Sequence, residues 1–235
     1  MMPILSADIK GPAPANAGLG NQLFQIAAVI STTKDQGIES TFPCLLDPRY
    51  GGYINNMLKS INTYPLPNRL NVYRESSFSY TELPKFLNPT IIVGSYLQSY
   101  KYFENNRDLI LDKFSISKEE ETYLRGKYSK ELSSNCCSIH LRAGDYLGLK
   151  DYHTCLSDTG YYDSAMRRVD CDHLLVFSDD PEWASSIVRH KNTTIVLEKD
   201  YLEMFLMSYC SSNIIANSTF SWWGAWLNKN PLKKV

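Results

Sequence analysis

Four short stretches of this chain concentrate the side chains able to do chemistry: "GLGNQ" at residues 18–22, "HLRAGD" at 140–145, "SDD" at 178–180 and "NSTFS" at 217–221. Arg142 carries a planar, permanent charge that donates two parallel hydrogen bonds, which suits a phosphate. It reads either that way or as a surface arginine paired with Asp145. His140 reads as a core histidine with a satisfied nitrogen or as a polar contact beside that arginine. Asp179 and Asp180 precede Pro181, so one of them caps a helix; the other carboxylate is left to accept paired donors, such as the amide and amine edge of a guanine. In "NSTFS" the hydroxyls of Ser218, Thr219 and Ser221, the amide of Asn217 and the N–H groups of a starting helix form an anion site suited to pyrophosphate. Ser218 or Thr219 is then the helix N-cap. Gly18 and Gly20 make a turn that opens a helix and offers the amides of Asn21 and Gln22. That turn lacks the lysine of a phosphate-binding P-loop and the third glycine of a dinucleotide fingerprint, so ATPase and NAD chemistry are disfavoured.

The elements that must position these residues are legible in the second half. After a capped helix over "SISKEEETYLRGKYSKELSS", strands "CCSIHLR", "HLLVFS", "TTIVL" and "NIIAN" alternate with helices "DTGYYDSAMRRV", "PEWASSIVRH", "YLEMFLMSYCSS" and "SWWGAWLN". This rhythm predicts βαβ units and a parallel sheet. Such sheets bind ligands beyond the carboxyl ends of their strands, where three of the four clusters fall. The first half is less regular. A Gly-, Pro- and Ala-rich loop over 11–22 opens onto an apolar helix, residues 41–89 read as irregular, and "TIIVGSYLQSYKYF" reads as a buried strand followed by a helical segment. The texture changes near residues 132–135, which predicts lobes 1–132 and 133–235.

Composition bounds the function. The chain has 235 residues, 43% hydrophobic and 21% charged, with a formal charge of −1. This is ordinary globular composition with no broad attraction to nucleic acid or anionic membrane. No run approaches a membrane span, and the first residues lack the apolar core of a signal peptide. The six cysteines form no CxxC pair and two are adjacent, so they read as thiols of a reducing, cytoplasmic setting. Asp170 and Asp172 mimic a metal-holding acidic pair but precede a strand, so they are expected on the opposite rim.

The stretches "GLGNQLFQ", "GSYLQSYKYF", "HLRAGDY", "VFSDDPEWA" and "LMSYCSSNIIANSTFSWWGAWLN" occur in this order and together resemble the α-1,2-fucosyltransferase family, glycosyltransferase family 11. The resemblance implies an α/β fold of the GT-B type, with two Rossmann-like lobes and the donor site in the C-terminal lobe. It implies an inverting transfer of L-fucose from GDP-β-L-fucose, a donor substrate, to the 2-hydroxyl of a β-galactoside, with no cofactor and no metal. Carried over by motif, Arg142 binds the diphosphate, and His140 with Asp179 or Asp180 serves the guanine. Asn217, Ser218, Thr219 and Ser221 contact phosphates, and Gly18, Gly20, Asn21 and Gln22 approach from the other lobe. Asp145 is the general base or orients Arg142. Two other readings stand beside this one: a GDP-sugar-binding protein without turnover, and a transferase of another GDP-hexose. Three departures bear on them. Ala143 stands where the family has a second arginine, "GPAPANA" replaces the usual strand before the glycine turn, and the sequence ends at "NPLKKV", soon after the tryptophan helix, where relatives generally continue. Trp222, Trp223 and Trp226 are expected to anchor the last helix in the core.

Overall fold

The computed structural model of the chain describes residues 3–9, 18–144 and 154–235. They fall into two compact units, Met1–Ser117 and Lys118–Val235. Each is an α/β unit built on a four-stranded sheet whose pairings are all parallel.

The first unit comprises β1 (Ile4–Ala7), α1 (Leu19–Gln36), β2 (Glu39–Ser40), β3 (Asn71–Tyr73), β4 (Thr90–Ile92) and α2 (Arg107–Lys113), with sheet order β2-β1-β4-β3. A strand does precede the glycine turn, against the expectation that this element is blurred. "ILSA" is only four residues long and shows no periodicity, yet it pairs on both sides and buries its last three residues. α1 is buried over most of its length, as its apolar run predicts. It stops at Gly37, whose φ of 64° is the left-handed conformation that glycine adopts without cost. From β2 to β4 the chain runs through short 3-10 turns and the brief β3, close to the irregular region expected.

The second unit comprises α3 (Lys118–Lys127), α4 (Ser129–Leu132), β5 (Cys136–Leu141), α5 (Tyr161–Met166), β6 (His173–Ser178), α6 (Pro181–Ile187), β7 (Thr193–Ile195), α7 (Asp200–Ser208), β8 (Ser212–Ile214) and α8 (Thr219–Leu227). The boundary expected near residue 132 falls instead between Ser117 and Lys118. The reason lies in where α3 spends its side chains. Glu120 accepts from the Tyr201 hydroxyl, Lys127 and Tyr123 reach Glu198, and Arg125 lies 4.1 Å from the Tyr209 ring. Those partners belong to the C-terminal sequence, and no periodicity in the helix itself announces them.

β5 is the centre of this unit. All six of its residues are buried, and alternation sends them to two faces. Cys137, Ile139 and Leu141 join Leu174, Val176, Tyr162 and Ala184 in one apolar cluster. Ser138 meets Asn213 and His140 meets Phe220 on the other face, beneath α7 and α8. Those two helices pack closely because Gly224 has no side chain: a Cβ there would sit 2.6 Å from Met207 Sδ and 2.9 Å from Met207 Cβ. Trp223 is fully buried, and the rings of Trp222 and Trp226 stack with centroids 6.2 Å apart. Trp223 anchors α8 in the core, whereas Trp222 and Trp226, which their spacing puts on one helix face, are only half-buried.

Candidate active site at the switch point of the second sheet

The second sheet runs β7-β6-β5-β8, so the chain first builds outward on one side of β5 and then crosses to the other. The crevice at that reversal, beyond the carboxyl ends of β5 and β8, is where open parallel sheets bind ligands. Two chemistry-bearing clusters border it and a third adjoins it from β6.

From β5 come His140, next to last in the strand, and Arg142, the first residue after it. His140 is 5% exposed, and its Nδ1 has no hydrogen-bond partner among the described residues. Burial, with the Arg142 guanidinium as a second cause, lowers its pKa to about 3. It is therefore a neutral imidazole at any working pH, a hydrogen-bonding group and not a cation. Its ring lies 5.4 Å from that of Phe220 in the first turn of α8. A buried polar atom without a partner calls for an explanation; a ligand edge at this crevice supplies one.

From β8 comes the turn that starts α8. Ser218 caps the helix through its hydroxyl, which accepts from the Phe220 N–H at 3.3 Å. Thr219 follows as the first helical residue, and Asn217 is exposed, its amide donating to the Thr154 carbonyl at 3.0 Å. Ser221 does not belong on this surface. It is fully buried, accepts from the Ala216 N–H at 3.1 Å and donates back toward the carbonyls of Ala216 and Ser218. A phosphate contact does not fit that burial; the hydroxyl shapes the turn.

From β6 come the two aspartates, and they divide the work. Asp180 caps α6, accepting from the Trp183 N–H at 2.9 Å. Asp179 turns toward β5. It accepts from the Ala143 N–H at 2.8 Å and pairs with Arg142 Nη1 at 2.7 Å. Each carboxylate thus already has a structural task, Asp180 through a single oxygen and Asp179 through both. Asp145, expected as base or orienter, lies outside the described residues.

The glycine turn belongs to the first unit. Its sheet also reverses order, between β1 and β4, and α1 starts over that point. Gln98, beyond β4, donates to Asn21 Oδ1 at 2.8 Å, and Tyr50 reaches the Asp8 carbonyl just past β1. Gly18 is the exposed N-cap of α1, while Gly20 and Gln22 are buried within the helix. The Gln22 amide donates to the Tyr50 carbonyl at 3.3 Å, which places it in the packing of this unit. Gln98, Phe220 and Thr154 were not singled out from sequence. Gln98 and Phe220 sit inside quoted stretches, but nothing in their residue type distinguishes them from core or surface.

Asp170 and Asp172 take the place expected of them, ahead of β6 on the opposite rim. There the Asp170 carbonyl and the Asp172 carboxylate both accept from Asn135.

With this geometry in place, comparison with known proteins is decisive on family. The family model described as glycosyl transferase family 11 matches residues 15–234. The chain belongs to that family. It is 36% identical over 151 residues to the O-antigen biosynthesis glycosyltransferase WbnK of Escherichia coli, an alignment covering 57% of this chain and 49% of that protein. It thus spans about half the length of that relative. Over 92% of its length it is 28% identical to an Escherichia coli alpha-1,2-colitosyltransferase, covering 86% of it. Over 91% it is 28% identical to a Caenorhabditis elegans galactoside 2-alpha-L-fucosyltransferase, covering 67%. Its fold is that of NodZ alpha-1,6-fucosyltransferase co-crystallized with GDP, with a TM-score of 0.61 at 12% identity over 96% of this chain and 92% of that one. The two Rossmann-like units are thus those of the GT-B type.

Proposed function

We propose that this family 11 protein transfers L-fucose from GDP-β-L-fucose to the 2-hydroxyl of a β-galactoside, with inversion at the anomeric carbon. One observation carries the reading. At the carboxyl end of β5, beside the switch point of the second sheet, the Arg142 guanidinium pairs with Asp179, and the neutral imidazole of His140 meets Phe220 in the serine-capped start of α8. That combination suits an anionic leaving group attached to a flat, hydrogen-bonding base.

In a single displacement the acceptor hydroxyl attacks the anomeric carbon while GDP departs. Positive charge spreads over the sugar ring and negative charge grows on the β-phosphate. Groups already aimed at that oxygen strengthen as the charge develops, so they lower the barrier more than they tighten ground-state binding. Arg142 supplies the full charge. The N–H groups opening α8, with the Ser218 and Thr219 hydroxyls, supply partial ones. His140, kept neutral, serves the base and adds no charge of its own. A general base must take the acceptor proton; the motif assigns it to Asp145. The reaction as read involves no metal, and transfer should persist in excess chelator.

A second reading changes only the sugar. The similarity to a colitosyltransferase over 92% of the chain favours a different GDP-linked hexose on the same phosphate site. Mass spectrometry of GDP-fucose and other GDP-hexoses against a panel of β-galactosides separates the two. Every donor left intact beside every acceptor would refute catalysis by this chain and leave a GDP-sugar-binding protein.

A further inference from the structure

We propose that Asp179 is a positioning residue: it fixes the Arg142 guanidinium at the β5 end before any donor arrives, and Gly144 exists to let it do so. The inference rests on reading Arg142 as the cation for the leaving diphosphate, and it assigns Asp179 a role other than base recognition.

Three observations carry it. The helix after β6 does not need Asp179, because Asp180 already caps it. Asp179 instead spans from β6 to the end of β5. One carboxylate oxygen accepts from the Ala143 backbone N–H at 2.8 Å and the other pairs with Arg142 Nη1 at 2.7 Å. The backbone bond registers the carboxylate against the strand end, so the arginine is held relative to β5 and not merely to a mobile partner. Finally, Gly144 adopts a φ of +32°, and a Cβ built there would collide with Asp179 Oδ2. The residue two places after the arginine is cut away where the carboxylate passes.

Stability does not account for this arrangement. Arg142 and Asp179 side chains are 32% and 29% exposed, and ion pairs open to water contribute little to folding. What the pair does supply is order. An arginine side chain has many rotamers, and a guanidinium already aimed needs no reorganisation as charge develops on the departing phosphate. There is an opposing effect, since the Asp179 charge repels an anionic donor. The two effects act on different steps. Repulsion weakens ground-state binding, whereas positioning raises the rate of transfer.

The test follows from that division. Asp179→Asn keeps an oxygen for the Ala143 N–H and removes the charge. We expect kcat to fall ten- to a hundredfold, while the dissociation constant for GDP, measured by calorimetry, stays within a few-fold of wild type or tightens. In an Arg142→Lys background the same change should add little further loss, because the planar fork it positions is gone. Nitrogen-detected NMR of the apoprotein reports separately on the guanidinium. The Arg142 signal, assigned by its loss in Arg142→Lys, should be restrained in wild type and averaged in Asp179→Asn. An unchanged Arg142 signal, an unchanged kcat, or strictly additive losses would overturn the inference. If the signal responds as expected but wild type transfers no sugar from any GDP donor, the enzymatic reading falls while the coupling of Asp179 to Arg142 stands.

Discussion

Glu203 should set much of the pH dependence of stability in the second unit. It lies in the first turn of α7, where its carboxylate accepts from the Glu198 N–H at 3.2 Å. Burial raises its pKa from 4.5 to about 7, the nearby Asp200 and Glu198 charges add to the rise, and the backbone hydrogen bond opposes it. A carboxyl whose folded pKa is raised binds its proton more tightly in the folded state than in the unfolded one. Its stabilising effect is complete below pH 4.5 and is lost as pH climbs through 7. At 1.36 kcal/mol for each pH unit between the two pKa values, the loss is about 3 kcal/mol when ionisation is complete. Most of it, about 2.5 kcal/mol, appears between pH 5 and 8.5. Glu203→Gln retains the acceptor oxygen and cannot ionise, so this slope should vanish. Urea or thermal unfolding of both proteins at pH 5 and pH 8.5 measures it. The variant should gain on wild type by about 2.5 kcal/mol over that interval, equivalent to roughly 5–10 °C in Tm for a chain of this size. Stability curves that run parallel across the interval would show that Glu203 is solvated like a surface carboxylate and would refute the argument.

Three further outcomes follow. Arg142→Ala should lower sugar transfer by about a hundredfold or more, the scale on which loss of a transition-state donor acts; near-normal turnover in a donor assay would remove Arg142 from the mechanism. Asp180→Ala should cost about 1 kcal/mol of stability through the lost cap on α6, read as a lowered unfolding midpoint, and an unchanged midpoint would count against the cap. Gly224→Ala gains about 1 kcal/mol of helix propensity, but its new methyl meets Met207 Cβ, which the α7 backbone fixes. Overpacking of that kind costs about 1–3 kcal/mol, so the net effect should be destabilising, and a stabilised variant would show that α7 and α8 can separate at little cost.

Much of the second unit was legible in the chain. β6 spans the expected "HLLVFS", and the other strands and the helices lie within two to four residues of their patterns at most ends, because buried parallel strands are continuous apolar runs. The first unit was less so. β1 has four residues and β2 has two, too few for any period to register, and their identity as strands comes from the neighbours that pair with them. The same contrast holds within the site. The placement of His140 and Arg142 at the end of β5 and the capping of a helix by Ser218 were legible from residue type and position, since strand ends follow apolar runs and only a few side chains cap a helix. The separate tasks of Asp179 and Asp180 were not, because two adjacent carboxylates are identical by type and spacing; the backbone N–H within reach of each decides between them. Ser221 was misplaced for the same reason: a hydroxyl on a helix start satisfies either the turn or a ligand, and burial chose the turn.

The sequence alone therefore determined which atoms are available and at which strand ends they emerge, because apolar periodicity and cap chemistry act over a few residues. Tertiary structure decided the partnerships. The pairing of Arg142 with Asp179, 37 residues later, the neutrality of His140 and the attachment of α3 to the second unit all depend on strand order and burial. Those arise only when segments distant in the chain exclude water from one another.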